Sequence, residues 1–121
     1  MSHALLAYRR ARTNEQDPVR LLLMLLDEAV SRLERARLAQ DPTERRGHVI
    51  RAVRIVTELV CSLDCEVGGE AALGMLKLYM FIQGCLGDAI QGDDSRIPDA
   101  LRILRHVRET WREAARIAGR A

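Results

Sequence analysis

The chain has 121 residues and a net charge of +2, from nineteen basic and seventeen acidic side chains. That length suits a single domain. Its 48% apolar residues can supply a core that must be aliphatic, because aromatics are only 3%; so few aromatics and so little net charge argue against a nucleic-acid partner, which wants a basic groove with stacking rings. Three cysteines is an odd number, and MSHALLAYRRAR carries charges where a signal peptide would be apolar. Both point to reduced thiols and a cytoplasmic location.

In chain order, residues 4–12 could form two turns of helix, too short to persist unless docked. Residues 1–16 are therefore expected to be an N-terminal segment, mobile or docked on the rest of a single domain over residues 1–121. Asp17-Pro18 reads as a cap followed by proline at the first helical position, and it predicts a helix to about Ala39. The helix's core stripe is Val19, Leu22, Leu23, Leu26, Val30 and Leu33. Leu21, Met24 and Leu25 fall off that stripe as a second apolar surplus. The run Leu21–Leu26 is the longest unbroken strongly apolar stretch and falls far short of the ~20 residues that span a bilayer, so no direct membrane insertion is expected.

Asp41-Pro42-Thr43-Glu44 repeats the start signal in capping-box form and predicts a helix to about Asp64. Its stripe is Val49, Ala52, Val53, Val56, Leu59, Val60 and Leu63, with Ile50 and Ile55 off it. Gly68-Gly69 makes a turn, and a third helix is predicted from about Glu70 to Gln91. One face of it holds Met75, Tyr79, Ile82, Leu86 and Ala89. Nearly opposite lie Leu73, Leu76 and Met80, continued by Gly84, Gly87 and Gln91. An apolar line running into small residues suits close approach by another backbone. Gly92-Asp93-Asp94-Ser95 ends that helix and caps the last one, whose apolar positions are Ile97, Leu101, Leu104, Val107, Trp111, Ala115 and Ala118. The fold class is all-α: an antiparallel up-down four-helix bundle with a short extra N-terminal helix or docked segment.

No chemistry announces itself. Glu-x-x-His, the signature of a di-iron bundle, does not occur, and Cys61, Cys65 and Cys85 suit packing better than a metal or redox centre. Catalytic, cofactor and metal sites are expected to be absent. His3, His48 and His106 are expected on a solvated surface. A histidine-phosphotransfer signalling bundle is the alternative reading, with His106 as phosphate acceptor.

A family likeness does appear in the residues. Ala7-Tyr8, Asp17-Pro18, Leu23-Met24-Leu25 with Asp27, Glu58-Leu59 and above all Ser62-Leu63-Asp64, Glu66, Gly68-Gly69-Glu70 and Leu78-Tyr79 resemble the flagellar secretion chaperones of the FliS family, as do Trp111 and Glu113-Ala114. The likeness departs where the family has an aromatic then Asp-Gly and this chain has Leu26-Asp27-Glu28. It departs again at Tyr79-Met80-Phe81, where the family has an acidic residue between aromatics, and at Gln83-Gly84, where an arginine pair is common. The third helix is thereby less charged than usual. The resemblance implies a helical bundle without enzymatic activity. It also implies a cytoplasmic chaperone that binds the C-terminal helical segment of flagellin, prevents its premature polymerisation, and delivers it to an export-gate membrane protein. The apolar line then gains a reason, since a groove can mask the amphipathic helices of such a segment. Leu73, Leu76 and Met80 are the expected client surface, with Leu21 and Leu25 as a second patch. Tyr8, from the family's N-terminal motif, is expected to dock that segment or contact the gate. Client-free chain could pair with a second copy through its exposed stripe.

Overall fold

The computed structural model describes residues 18–63 and 65–119, with side chains for all of these except residues 65–67. It contains helices α1 (Pro18–Leu38), α2 (Pro42–Cys61), α3 (Cys65–Ile90) and α4 (Ile97–Ile117), with a 3-10 turn at Asp94–Arg96 before α4. The expected cap Asp17, Tyr8 and the rest of residues 1–16 lie outside the described residues.

The punctuation follows backbone chemistry. Asp41 sits in extended backbone and accepts the Thr43 N–H at 3.3 Å, with Pro42 in the first helical turn, where a missing N–H costs nothing. α2 ends at Cys61, short of the predicted Asp64; there the Ser62 N–H bonds the Glu58 carbonyl at 3.0 Å and the Ser62 hydroxyl donates to the Leu59 carbonyl at 2.7 Å. At the far end of α3, the Asp93 N–H reaches the Asp88 carbonyl at 2.9 Å and the Gly92 N–H reaches Ala89 at 3.0 Å. This paired closure needs a residue at positive φ, and Gly92 supplies it at +107°. Asp93 then accepts the Ser95 N–H at 3.0 Å, and hydrogen bonding from the Ser95 side chain first, then from its backbone, holds the Asp93 carboxyl below the usual carboxylate range.

The corner between α2 and α3 differs from expectation. Helical structure begins at Cys65, five residues early, and is broken at Gly69, whose φ of 57° and ψ of −134° are non-helical. An L side chain at Gly69 would be strained. Gly68 is required for a different reason, since a Cβ there would lie 2.7 Å from the Ala72 Cβ. The two glycines therefore have distinct jobs: one permits the approach, the other the change of direction.

α1 packs against α2 and α4, and α3 also packs against α2 and α4, so the helices form a closed ring in chain order. Short connections make successive helices antiparallel. No strand occurs among the described residues. The core runs through Leu26, Val30 and Leu33 of α1, Val56 and Leu59 of α2, Tyr79, Ile82 and Leu86 of α3, and Leu101, Leu104 and Val107 of α4. Ion pairs stitch α1 to α4 on the outside, Asp27 with Arg112 at 2.9 Å and Glu34 with Arg105 at 3.2 Å. Such exposed pairs are each worth less than about 1 kcal/mol, so they orient the helices more than they hold them.

Two residues expected off the core stripes are in fact central. Leu25 is 0% exposed and Ile55 1%. Both belong to the core cluster, so the buried arc of each helix is wider than the single stripe that periodicity picks out. Val19, Leu22 and Leu23, by contrast, are only partly buried.

Candidate functional site

Among the described residues, three of the six exposed large hydrophobic side chains, Leu73, Met80 and Phe81, lie on α3. Helical phase explains it. Tyr79, Ile82 and Leu86 point into the core, and the side chains half a turn away must point out. Leu73 is 47% exposed and Met80 59%, with Leu76 partly buried between them. Gly84 and Gly87 continue this line, and a Cβ added at either would meet nothing within 4 Å. The expected juxtaposition of Leu73, Leu76 and Met80 on one face is thus present. The second expected patch is not: Leu25 is buried, and Leu21 is partly buried and packed on the core. What shows on that part of α1 is Met24, 48% exposed.

Two flanking residues escaped the pattern analysis. Phe81, on the α4 side, is 40% exposed, and the Arg96 guanidinium lies 4.9 Å from its ring centroid, an attractive cation–π arrangement. Arg96 also stands 3.6 Å from Asp88. On the α2 side, Gln83 donates through Nε2 to the Thr57 hydroxyl at 2.9 Å and to the Val53 carbonyl at 3.3 Å. Thr57 itself donates to Val53 at 2.9 Å. Neither residue could have been picked from periodicity, because each is defined by a partner on another element.

By length and composition Gly68–Ile90 is long and apolar enough to cross a membrane, although it holds no long unbroken apolar run, because glycines and the charges Glu70, Lys77 and Asp88 interrupt it. Only 28% of its most apolar window is buried in the bundle. The rest of that window is partly buried or exposed, with Leu73, Met80 and Phe81 among its exposed large side chains.

Elsewhere the polar groups are structural. His48, expected on a solvated surface, has its ring 15% exposed between Glu44 at 3.7 Å and Arg32 at 3.5 Å, because it sits in the seam of α1 and α2. His106 is exposed. No group of three or more metal-ligating side chains occurs among the described residues. A cleft of about 430 Å³ lies at the opposite end from the glycine corner, lined by Pro42, Arg46, Gln91 and Gly92. Arg45 crosses it, bonded to Asp94 at 2.8 Å and to the Ala39 carbonyl at 2.7 Å, and so joins the two loops at that end.

A family model described as flagellar protein FliS matches residues 1–118. The chain is 30% identical over 111 residues to the flagellar secretion chaperone FliS of Campylobacter jejuni, covering 88% of this chain and 87% of that protein. It is 33% identical over 101 residues to the flagellar secretion chaperone FliS of Salmonella typhimurium, covering 79% and 75%. It is 30% identical over 105 residues to the flagellar secretion chaperone FliSB of Pseudomonas aeruginosa, covering 84% and 83%. The phosphotransfer alternative finds no support among these relatives.

Proposed function

The chain belongs to the FliS family of flagellar proteins, and on that premise we propose that it is a flagellar secretion chaperone without enzymatic activity. Its client is the C-terminal helical segment of flagellin, bound in the cytoplasm and handed to the membrane protein that gates export. The observation that carries this reading is the uncovered line Leu73–Leu76–Met80 on a helix whose other side is committed to the core. A segment that polymerises through amphipathic helices is masked by laying their apolar side along such a line. Its ordering entropy is lost on binding, which keeps the complex reversible enough to be released at the gate.

The test is titration of a peptide comprising the flagellin C-terminal segment encoded in the same genome. Burying a Leu or Met side chain contributes about 1.5–3 kcal/mol, so Met80→Asp and Leu76→Asp should weaken binding by roughly ten- to a hundredfold. Met80→Asp is the decisive variant, because that side chain is already mostly in water and its replacement leaves the core intact. Unchanged affinity in a variant with native circular dichroism would sink the assignment.

Tyr8 is proposed to dock the N-terminal segment over an apolar groove or to contact the gate protein, on the strength of its place in the family's N-terminal motif. Deleting residues 1–12 should alter binding of the flagellin peptide or of the gate protein's cytoplasmic domain. The proposal fails if neither changes.

A further inference from the structure

Gln83 holds an unpaired polar atom beside the apolar line. Its Oε1 has no solvent exposure and no hydrogen-bond partner. The amide orientation is not arbitrary: the Val53 carbonyl that Gln83 faces is an acceptor and requires the NH₂ end, while the Thr57 hydroxyl already donates to that same carbonyl. On α3, Gln83 is three residues beyond Met80 and four before Gly87, so it borders the line at its midpoint. A buried acceptor without a donor costs free energy that an apolar side chain of similar shape would not. The residue as a whole is only partly buried, and the torsion of its terminal amide has a broad well, which leaves Oε1 room to adjust when a segment settles against α3.

We propose that Gln83 is a specificity-determining residue of the client surface: its Oε1 accepts a hydrogen bond from a donor (a side-chain hydroxyl, amide or ammonium) that the client segment carries within its otherwise apolar face. This rests on the reading of α3 as the client surface and adds register to it. An apolar line alone lets a helix slide by a turn, whereas one buried polar pair selects a single alignment, as polar core residues do in coiled coils.

The experiment compares Gln83→Leu, Gln83→Glu and Met80→Asp against the same flagellin C-terminal peptide, reading both affinity and melting temperature. Gln83→Leu removes the unpaired acceptor, so the chaperone should melt at the same or a higher temperature while binding falls about three- to tenfold, the value of one hydrogen bond. Gln83→Glu, which keeps an acceptor but loses the donors to α2, should stay within about twofold of wild type. If both Gln83 variants lose affinity equally, or if neither loses any while Met80→Asp does, the inference is overturned and the client surface stands. If Met80→Asp also binds normally, the reading of the surface falls, and this inference with it.

Discussion

Leu25 and Met80 are both apolar and both lie off the stripe that simple periodicity assigns to the core, yet one is wholly buried and the other 59% exposed. The difference is the neighbour each faces. Leu25 belongs to the core cluster that Ile55 shares, whereas Met80 stands on the outward side of α3. Truncating a buried leucine forfeits its transfer free energy and leaves a cavity, for a total of about 2–5 kcal/mol. Leu25→Ala should therefore lower the unfolding free energy by that amount in urea titration, a large part of the ~5–15 kcal/mol a domain of this size has available. Met80→Ala should change it by less than about 0.5 kcal/mol, as exposed substitutions do. Comparable losses in the two variants would mean that the outward side of α3 is part of the stabilising core and not a surface kept for a partner.

At the level of elements, the sequence was most legible where backbone chemistry punctuates it. Asp41-Pro42 and Gly92-Asp93 mark a start and a stop with residues whose side chains or dihedral freedom do the work, and both fall within a residue or so of expectation. The rotational phase of a helix is legible only when polar residues interrupt the apolar ones. α4 meets that condition, with arginines spaced between its core positions: Ile97, Leu101, Leu104, Val107 and Ala115 are buried as expected, while Trp111 is only partly buried, Ala118 is exposed, and the buried Ala100 was not anticipated. α1 does not. Six consecutive apolar residues from Leu21 to Leu26 cover more than a full turn, so no phase can be read from them, and Leu25 was misassigned for that reason. In α3 the glycines at 84 and 87 provided the missing contrast. Phe81 and Gln83 stand out in sequence only as departures from the family pattern, because their surroundings come from Arg96 and Thr57, the latter twenty-six residues distant from Gln83. A line along one helix can be read from its own residues, but the edges of a groove cannot.

Across the whole molecule, the ring of four helices is what gives the proposed binding surface its form. The residues at 73, 76 and 80 share a face only while α3 is helical, and α3 is held helical by docking Tyr79, Ile82 and Leu86 against its neighbours. The unfolded chain has no such face, so a client that binds it binds the native state alone and must stabilise that state by mass action. At a free peptide concentration a hundredfold above Kd the gain is about 2.7 kcal/mol. For a chain of this length each kcal/mol moves the melting temperature by roughly 3–6 °C, so the flagellin C-terminal peptide should raise it by about 8–15 °C. The shift should grow with the logarithm of peptide concentration. Met80→Asp, measured at the same peptide concentration, should keep only about 0.4–1.4 kcal/mol of that gain, a shift of roughly 1–8 °C, while melting close to wild type when alone. A wild-type shift that Met80→Asp reproduces in full would place the client elsewhere on the bundle, because a side chain at the centre of the contact cannot gain a charge without cost to the complex.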